Sequence, residues 1–218
     1  MEGRLALYLG LRHGAVDRLT EFRWPAPSGG EPGAWVRAGA DAPPDAVRAY
    51  PVAQIAWGLD DELWQIELGG TTTGDGRALH GSSGRLVRLV EAWEPSAATA
   101  LTEACAWRVR DAAVRELRGE QSADEAKALA QTADLIALEA VGTAIAAGSG
   151  AGSRLSGFAA DVVLYARDAA SPAAGAAVAA YVAAHALAGG DKNLRAYEPR
   201  FEAERGWQAE WLRRRLGL

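Results

Sequence analysis

Arg108, Asp161, His185, Glu204, Arg205 and Gln208 are the side chains in this 218-residue sequence best suited to do chemistry together. Arginine holds anions through a rigid fork of donors, while histidine and a carboxylate can exchange protons near neutral pH. Trp207 and Trp211 stand one helical turn apart beside them in FEAERGWQAEWLRRRLGL, residues 201–218. Wound at about 100° per residue, Phe201, Leu212 and Leu216 form an apolar stripe with Trp211 on its border. Glu204, Arg205 and Gln208 fall inside that stripe, and Trp207 lies just outside it.

The same departure from simple amphipathicity recurs upstream. Leu101, Cys105, Val109 and Ala112 define one apolar face, and Arg108 sits in it. Leu155, Phe158, Val162 and Tyr165 define another, with Asp161 and Asp168 along one edge. Val178, Tyr181 and Val182 are joined by His185. A cleaner face is read from Leu129, Ala133, Ile136 and Ala140. Buried unpaired charge is costly, so these groups must meet one another or meet solvent. Two arrangements follow. One is a closed structural network, with Arg108 paired to Asp161 or Glu204 and His185 satisfied by a Tyr or Gln. The other is an open polar pocket, with Arg108 and Arg205 holding an anion and His185 and a carboxylate placed for proton transfer.

Positioning such groups requires helices, and the period of the sequence changes to supply them. Up to Val90 the chain is rich in proline and glycine, with short strand-like pieces RLALYLGL (4–11), ELWQIEL (62–68) and RLVRLV (85–90). In the second, Trp64, Ile66 and Leu68 alternate with Gln65 and Glu67. Asp75-Gly76 suits a tight hairpin turn, so 62–70 and 77–90 are expected to pair antiparallel. Residues 24–46 read as irregular, and a short helix is expected around 52–61. Beyond Trp93 the period is helical. Helices are expected over about 97–118, from Ser122 to Gly148, over about 154–170, from Ser171-Pro172 to Gly189-Gly190, and from Pro199 in its first turn to the C-terminal end. The expected fold class is therefore α+β: an antiparallel β domain (1–92) packed on an up-and-down, alanine-rich five-helix bundle (93–218).

Composition narrows the function classes. A net charge of -5 argues against nonspecific nucleic-acid binding, which needs a dense cationic face. Lysine occurs only at Lys127 and Lys192, and with so much alanine and glycine this points to a GC-rich, bacterial genome. Cys105 is the single cysteine, so neither an internal disulfide nor a cysteine-based zinc site is expected. His13, His80 and His185 lie far apart, and no metal site or cofactor is expected. The apolar run near the N-terminus is broken by Arg12 and His13, unlike a signal peptide, and no apolar run reaches membrane-spanning length. A cytoplasmic protein with no membrane partner is expected. GSGAGS (148–153) lacks the lysine of a phosphate loop and follows a helix. HGSSG (80–84) lacks a nucleophile elbow.

VRAYPVAQIAWGLDDELWQIELGG, followed by GRLVRLVEAW, resembles a group of uncharacterised bacterial and phage proteins in which a His-Ala-Cys segment precedes an acidic Leu-Trp strand. Arg48 and Tyr50 stand where that group has His and Cys, so chemistry resting on those two is not implied here. AAYVAAHALAGG and ERGWQAEWL resemble the end of alanine-rich, all-helical immunity proteins, matching at His185, Glu204, Arg205, Trp207 and Gln208. Because no complete catalytic constellation is visible, a nonenzymatic binding protein is expected first, protective in the manner of an immunity protein, with a protein toxin or a small molecule as partner. Read from the residues alone, the second possibility is a small-molecule enzyme doing elimination, isomerisation or hydrolysis. His185, Glu204 and Asp161 would then act as acid and base, and Arg108, Arg205, Gln208, Trp207 and Trp211 would hold the ligand.

Overall fold

The structure, a computed structural model, describes residues 5–39, 46–189 and 194–218, with backbone only at 194–196. Arg4 of the first strand-like piece, residues 40–45 of the irregular segment and Gly190 of one helix stop lie outside the described residues. The chain forms two compact units, one of residues 1–97 with 209–218 and one of residues 98–208. The fold class is α+β.

Among the described residues the first unit holds five antiparallel strands: β1 (Leu7–Leu11), β2 (Val36–Arg37), β3 (Val47–Pro51), β4 (Glu62–Gly74) and β5 (Leu79–Leu89). A 3-10 helix, Val52–Gly58, joins β3 to β4 where a short helix was expected. β1 pairs with β3 and β4, and β5 pairs with β3 and β4, so the four pairings close on themselves; β2 adds to β5. The β4–β5 hairpin turns where expected, with Gly74 opposite Leu79. Asp75 Oδ1 accepts from the amides of Arg77 and Ala78, which fixes the turn. The alternation read in β4 holds as well. Trp64 and Ile66 are buried beside Leu9, Leu11, Val47 and Leu86. On the other face Gln65 accepts from Arg88, and Glu67 pairs with Arg85. Trp24, Trp64 and Trp93 are buried, whereas Trp35 is exposed and stacks on Arg85.

Six helices follow among the described residues: α1 (Pro95–Gly119), α2 (Ala123–Ala130), α3 (Leu135–Ala146), α4 (Ala151–Arg167), α5 (Pro172–Leu187) and α6 (Leu194–Leu216). The expected five-helix count is thus corrected. The stretch read as one helix from Ser122 breaks at Gln131–Asp134, where Thr132 Oγ1 donates back to Leu129 O. Asp134 then caps a new helix by accepting from the Ala137 amide. The new cap resets the helical phase. Leu138 and Gly142 face inward, and Ile136, read as part of the apolar face, is 80% exposed. Pro199 also lies inside α6 and not in its first turn. Ser171 and Pro172 open α5 as read, with Ser171 Oγ accepting from the Ala174 amide.

In α5 the inner face is not the one read from the sequence. Val178 and Tyr181 are exposed, while Ala176, Ala179, Ala180, Ala183 and Ala184 are fully buried. Methyl side chains let the neighbouring backbones approach closely, so fit, and not side-chain hydrophobicity, chooses the inner face. α4 packs on both α3 and α5. A Cβ on Gly142 would lie 2.6 Å from Ser156 O, and one on Gly175 would lie 2.7 Å from Ala166 O.

Candidate functional site

In the second unit, α1 and α6 bring part of the expected constellation together. Arg108 donates from Nε and Nη2 to the two oxygens of Glu204, at 2.9 and 2.6 Å. Its guanidinium lies over Trp207, 3.9 Å from the ring centroid. Glu204 is buried, and the Arg108 side chain is 39% exposed. Burial pushes the Glu204 carboxyl above its ordinary range, and the bonds and charge of Arg108 oppose that rise. Arg205 donates to Gln208 Oε1 at 2.9 Å, and Gln208 Nε2 donates to Ala180 O at 2.7 Å. Both residues are buried. Glu204, Arg205 and Gln208 therefore do point inward, as their place in the apolar stripe required. Cys105 is buried here too, and burial pushes its thiol up to about 12.

Other expected members join different surroundings. His185 Nδ1 lies 2.9 Å from Tyr197 Oη, and the ring meets Phe158 and Tyr197 edge-on. Tyr197 stacks on Phe201, and Phe201 meets Tyr181. This aromatic row along α4, α5 and α6 holds His185 at the half-buried rim of α5. Asp161 is half-buried, with its carboxyl raised by burial. Trp211 is half-buried and belongs to the first unit. Arg108, Asp161, His185, Glu204 and Gln208 do not line any of three cavities of about 660, 460 and 340 Å³ among the described residues. Among the described residues no group of three or more His, Cys, Asp or Glu is placed to hold a metal ion, and no helix is long and apolar enough to cross a membrane.

The largest of the three cavities, about 660 Å³, lies in the first unit. The exit of the 3-10 helix supplies Trp57, Gly58, Leu59 and Asp60; β3 supplies Val47, Arg48 and Tyr50; the loop after β1 supplies Arg18 and Trp24. His80 of β5, held by Asp75 at 3.2 Å, completes the rim. Asp60 is only 6% exposed. Its Oδ1 accepts from Arg18 Nη2 and from the Asp61 amide, both at 2.9 Å, and its backbone carbonyl accepts from Trp93 Nε1 at 2.7 Å. Among the described residues nothing donates to Oδ2. Close backbone approach shapes the wall: a Cβ on Gly10 would lie 2.0 Å from Gly58 O, and one on Gly58 would lie 2.3 Å from the Tyr50 ring.

Sequence reasoning missed this cavity because its lining comes from five separated segments and no single spacing brings them together. The local signs were Asp60 following an apolar run and two glycines, Gly10 and Gly58, where a strand and a helix end demand close approach. Comparison with protein-family models, curated proteins and solved structures finds no match to this chain, so its function has to be read from this geometry.

Proposed function

We propose that this is a nonenzymatic binding protein whose first unit holds a small organic molecule in the cavity of about 660 Å³. One observation carries the reading: aromatic walls from Trp24, Tyr50 and Trp57 surround a buried carboxylate, Asp60, whose second oxygen is open to a donor. The volume falls within the range of about 300–1,000 Å³ that suits small-molecule sites. Arg18 and Arg48 balance Asp17 and Asp60 in the lining, so the cavity favours no net charge. A ligand with a flat apolar body and a carboxamide-like end fits best, because that end donates to Asp60 and accepts from Arg18. Sequestering such a molecule is a protective role that needs no turnover. The engagement of the bundle's polar groups with one another supports a binding reading over acid–base catalysis there.

The test is titration of the full chain with benzamide and with indole-3-carboxamide, followed by ligand-observed NMR and tryptophan fluorescence. Saturable one-site binding is expected, weakened about tenfold or more by Asp60→Asn and by Trp57→Ala, the size of one lost charge-assisted hydrogen bond or one aromatic wall. Absence of saturable binding, or binding that neither substitution changes, would overturn the reading.

A further inference from the structure

A second, smaller cavity of about 340 Å³ lies within the helical unit, and its lining differs in kind. α1 contributes Arg115 and Glu116, α4 contributes Arg154 with Leu155 and Phe158, and α6 contributes Arg200. Three arginines from three helices thus line one recess that holds a single carboxylate. The lining is net positive in a chain of net charge -5. Several other arginines pair with acids, Arg108 with Glu204, Arg110 with Asp111 and Arg167 with Glu139. Among the described residues Arg115, Arg154 and Arg200 have no ion-pair partner.

Glu120, just past the end of α1, is already engaged. It sits on the N-terminus of α4, where it accepts from the amides of Ala151 at 2.6 Å and Gly152 at 3.3 Å. Its charge answers the helix end and leaves the three guanidiniums to a ligand. All three arginines are exposed, with Glu116 the one carboxylate beside them, so their donors are within reach of an anion from solvent. Guanidinium forks match the tetrahedral oxygens of a phosphoryl group, each reaching two oxygens at once. Leu155 and Phe158 give the recess an apolar floor beside them.

We infer that this recess binds an organic phosphate monoester, its phosphoryl oxygens held by Arg115, Arg154 and Arg200 and its organic part resting on Leu155 and Phe158. No bond is made or broken in the site. It is separate from the cavity of the first unit, and its ligand is an anion where that cavity favours none.

The experiment is calorimetric titration of the full chain at low ionic strength with phenyl phosphate, inorganic phosphate and single-stranded oligonucleotide, together with thermal unfolding. Phenyl phosphate is expected to bind at one site, several-fold more tightly than inorganic phosphate, because only it reaches the floor. Arg154→Gln and Arg200→Gln should each weaken it tenfold or more, while Arg118→Gln, an exposed arginine of α1 outside the lining, should leave it unchanged. Without ligand, Arg154→Gln and Arg200→Gln should unfold at or above the wild-type temperature. The inference is overturned if phenyl phosphate does not bind, if Arg118→Gln weakens it equally, or if the oligonucleotide binds more tightly, which would mark the arginines as a nucleic-acid surface.

Discussion

At the scale of single residues, the ion pair of Arg108 and Glu204 is asymmetric, because Glu204 is buried and the Arg108 side chain reaches solvent. Removing the arginine strands a carboxylate; removing the carboxylate frees a cation that can rehydrate. Arg108→Ala is therefore expected to cost about 2–4 kcal/mol in denaturant unfolding, and Glu204→Gln about 1 kcal/mol or less. The defect of Arg108→Ala should shrink in acid, as protonation of Glu204 removes the stranded charge. Equal losses from the two substitutions would contradict this burial asymmetry. Asp161 supplies the complementary test. Burial raises its carboxyl above the ordinary 3.8, so the folded state holds that proton more tightly than the unfolded chain. Its contribution to stability is full below 3.8 and is lost as pH rises through the raised folded value. Asp161→Asn should accordingly raise the unfolding midpoint slightly at neutral pH and leave it unchanged in acid. A midpoint lowered at neutral pH would show an unrecognised partner for the carboxylate.

At the scale of elements, helix contacts are set by backbone approach, and three glycines separate that effect from intrinsic helix propensity. Gly142 and Gly175 have no room for a methyl group, whereas nothing lies within 4 Å of a Cβ on Gly206 in α6. Alanine is favoured over glycine by about 1 kcal/mol within a helix, and overpacking costs about 1–3 kcal/mol. Gly175→Ala and Gly142→Ala are expected to lose about 1–2 kcal/mol on balance, and Gly206→Ala to gain up to about 1 kcal/mol, all read by denaturant midpoint. A gain at all three would mean that the helices are loosely packed. Elements also show where sequence patterning was a faithful guide. Leu101, Cys105 and Val109 are buried along α1, and Trp64 and Ile66 along β4, because large apolar side chains alternate clearly with polar ones there. In α5 the pattern misled: Val178 and Tyr181 lie outside, Val182 is half-buried, and alanine fills the interior.

At the scale of the whole molecule, the fold class and the inward bias of α6 were legible in the sequence. Period is a local property: strand alternation, the Asp75-Gly76 turn, the Ser171-Pro172 helix start and the burial of Glu204, Arg205 and Gln208 each depend on a few neighbouring residues. Which groups meet depends on distances between elements, and no local pattern contains those. The choice of Glu204 over Asp161 as the partner of Arg108, of Tyr197 as the partner of His185 within the expected closed network, and the break at Gln131–Asp134 were decided in three dimensions. Both cavities belong to the same category. Their linings are assembled from separated strands, loops and helices, so an open Asp60 oxygen and three convergent arginines exist only once the chain has folded. The sequence determined which side chains had to leave water; the tertiary structure decided their company, because pairing energy falls off within a few ångströms and only packing sets separations that small.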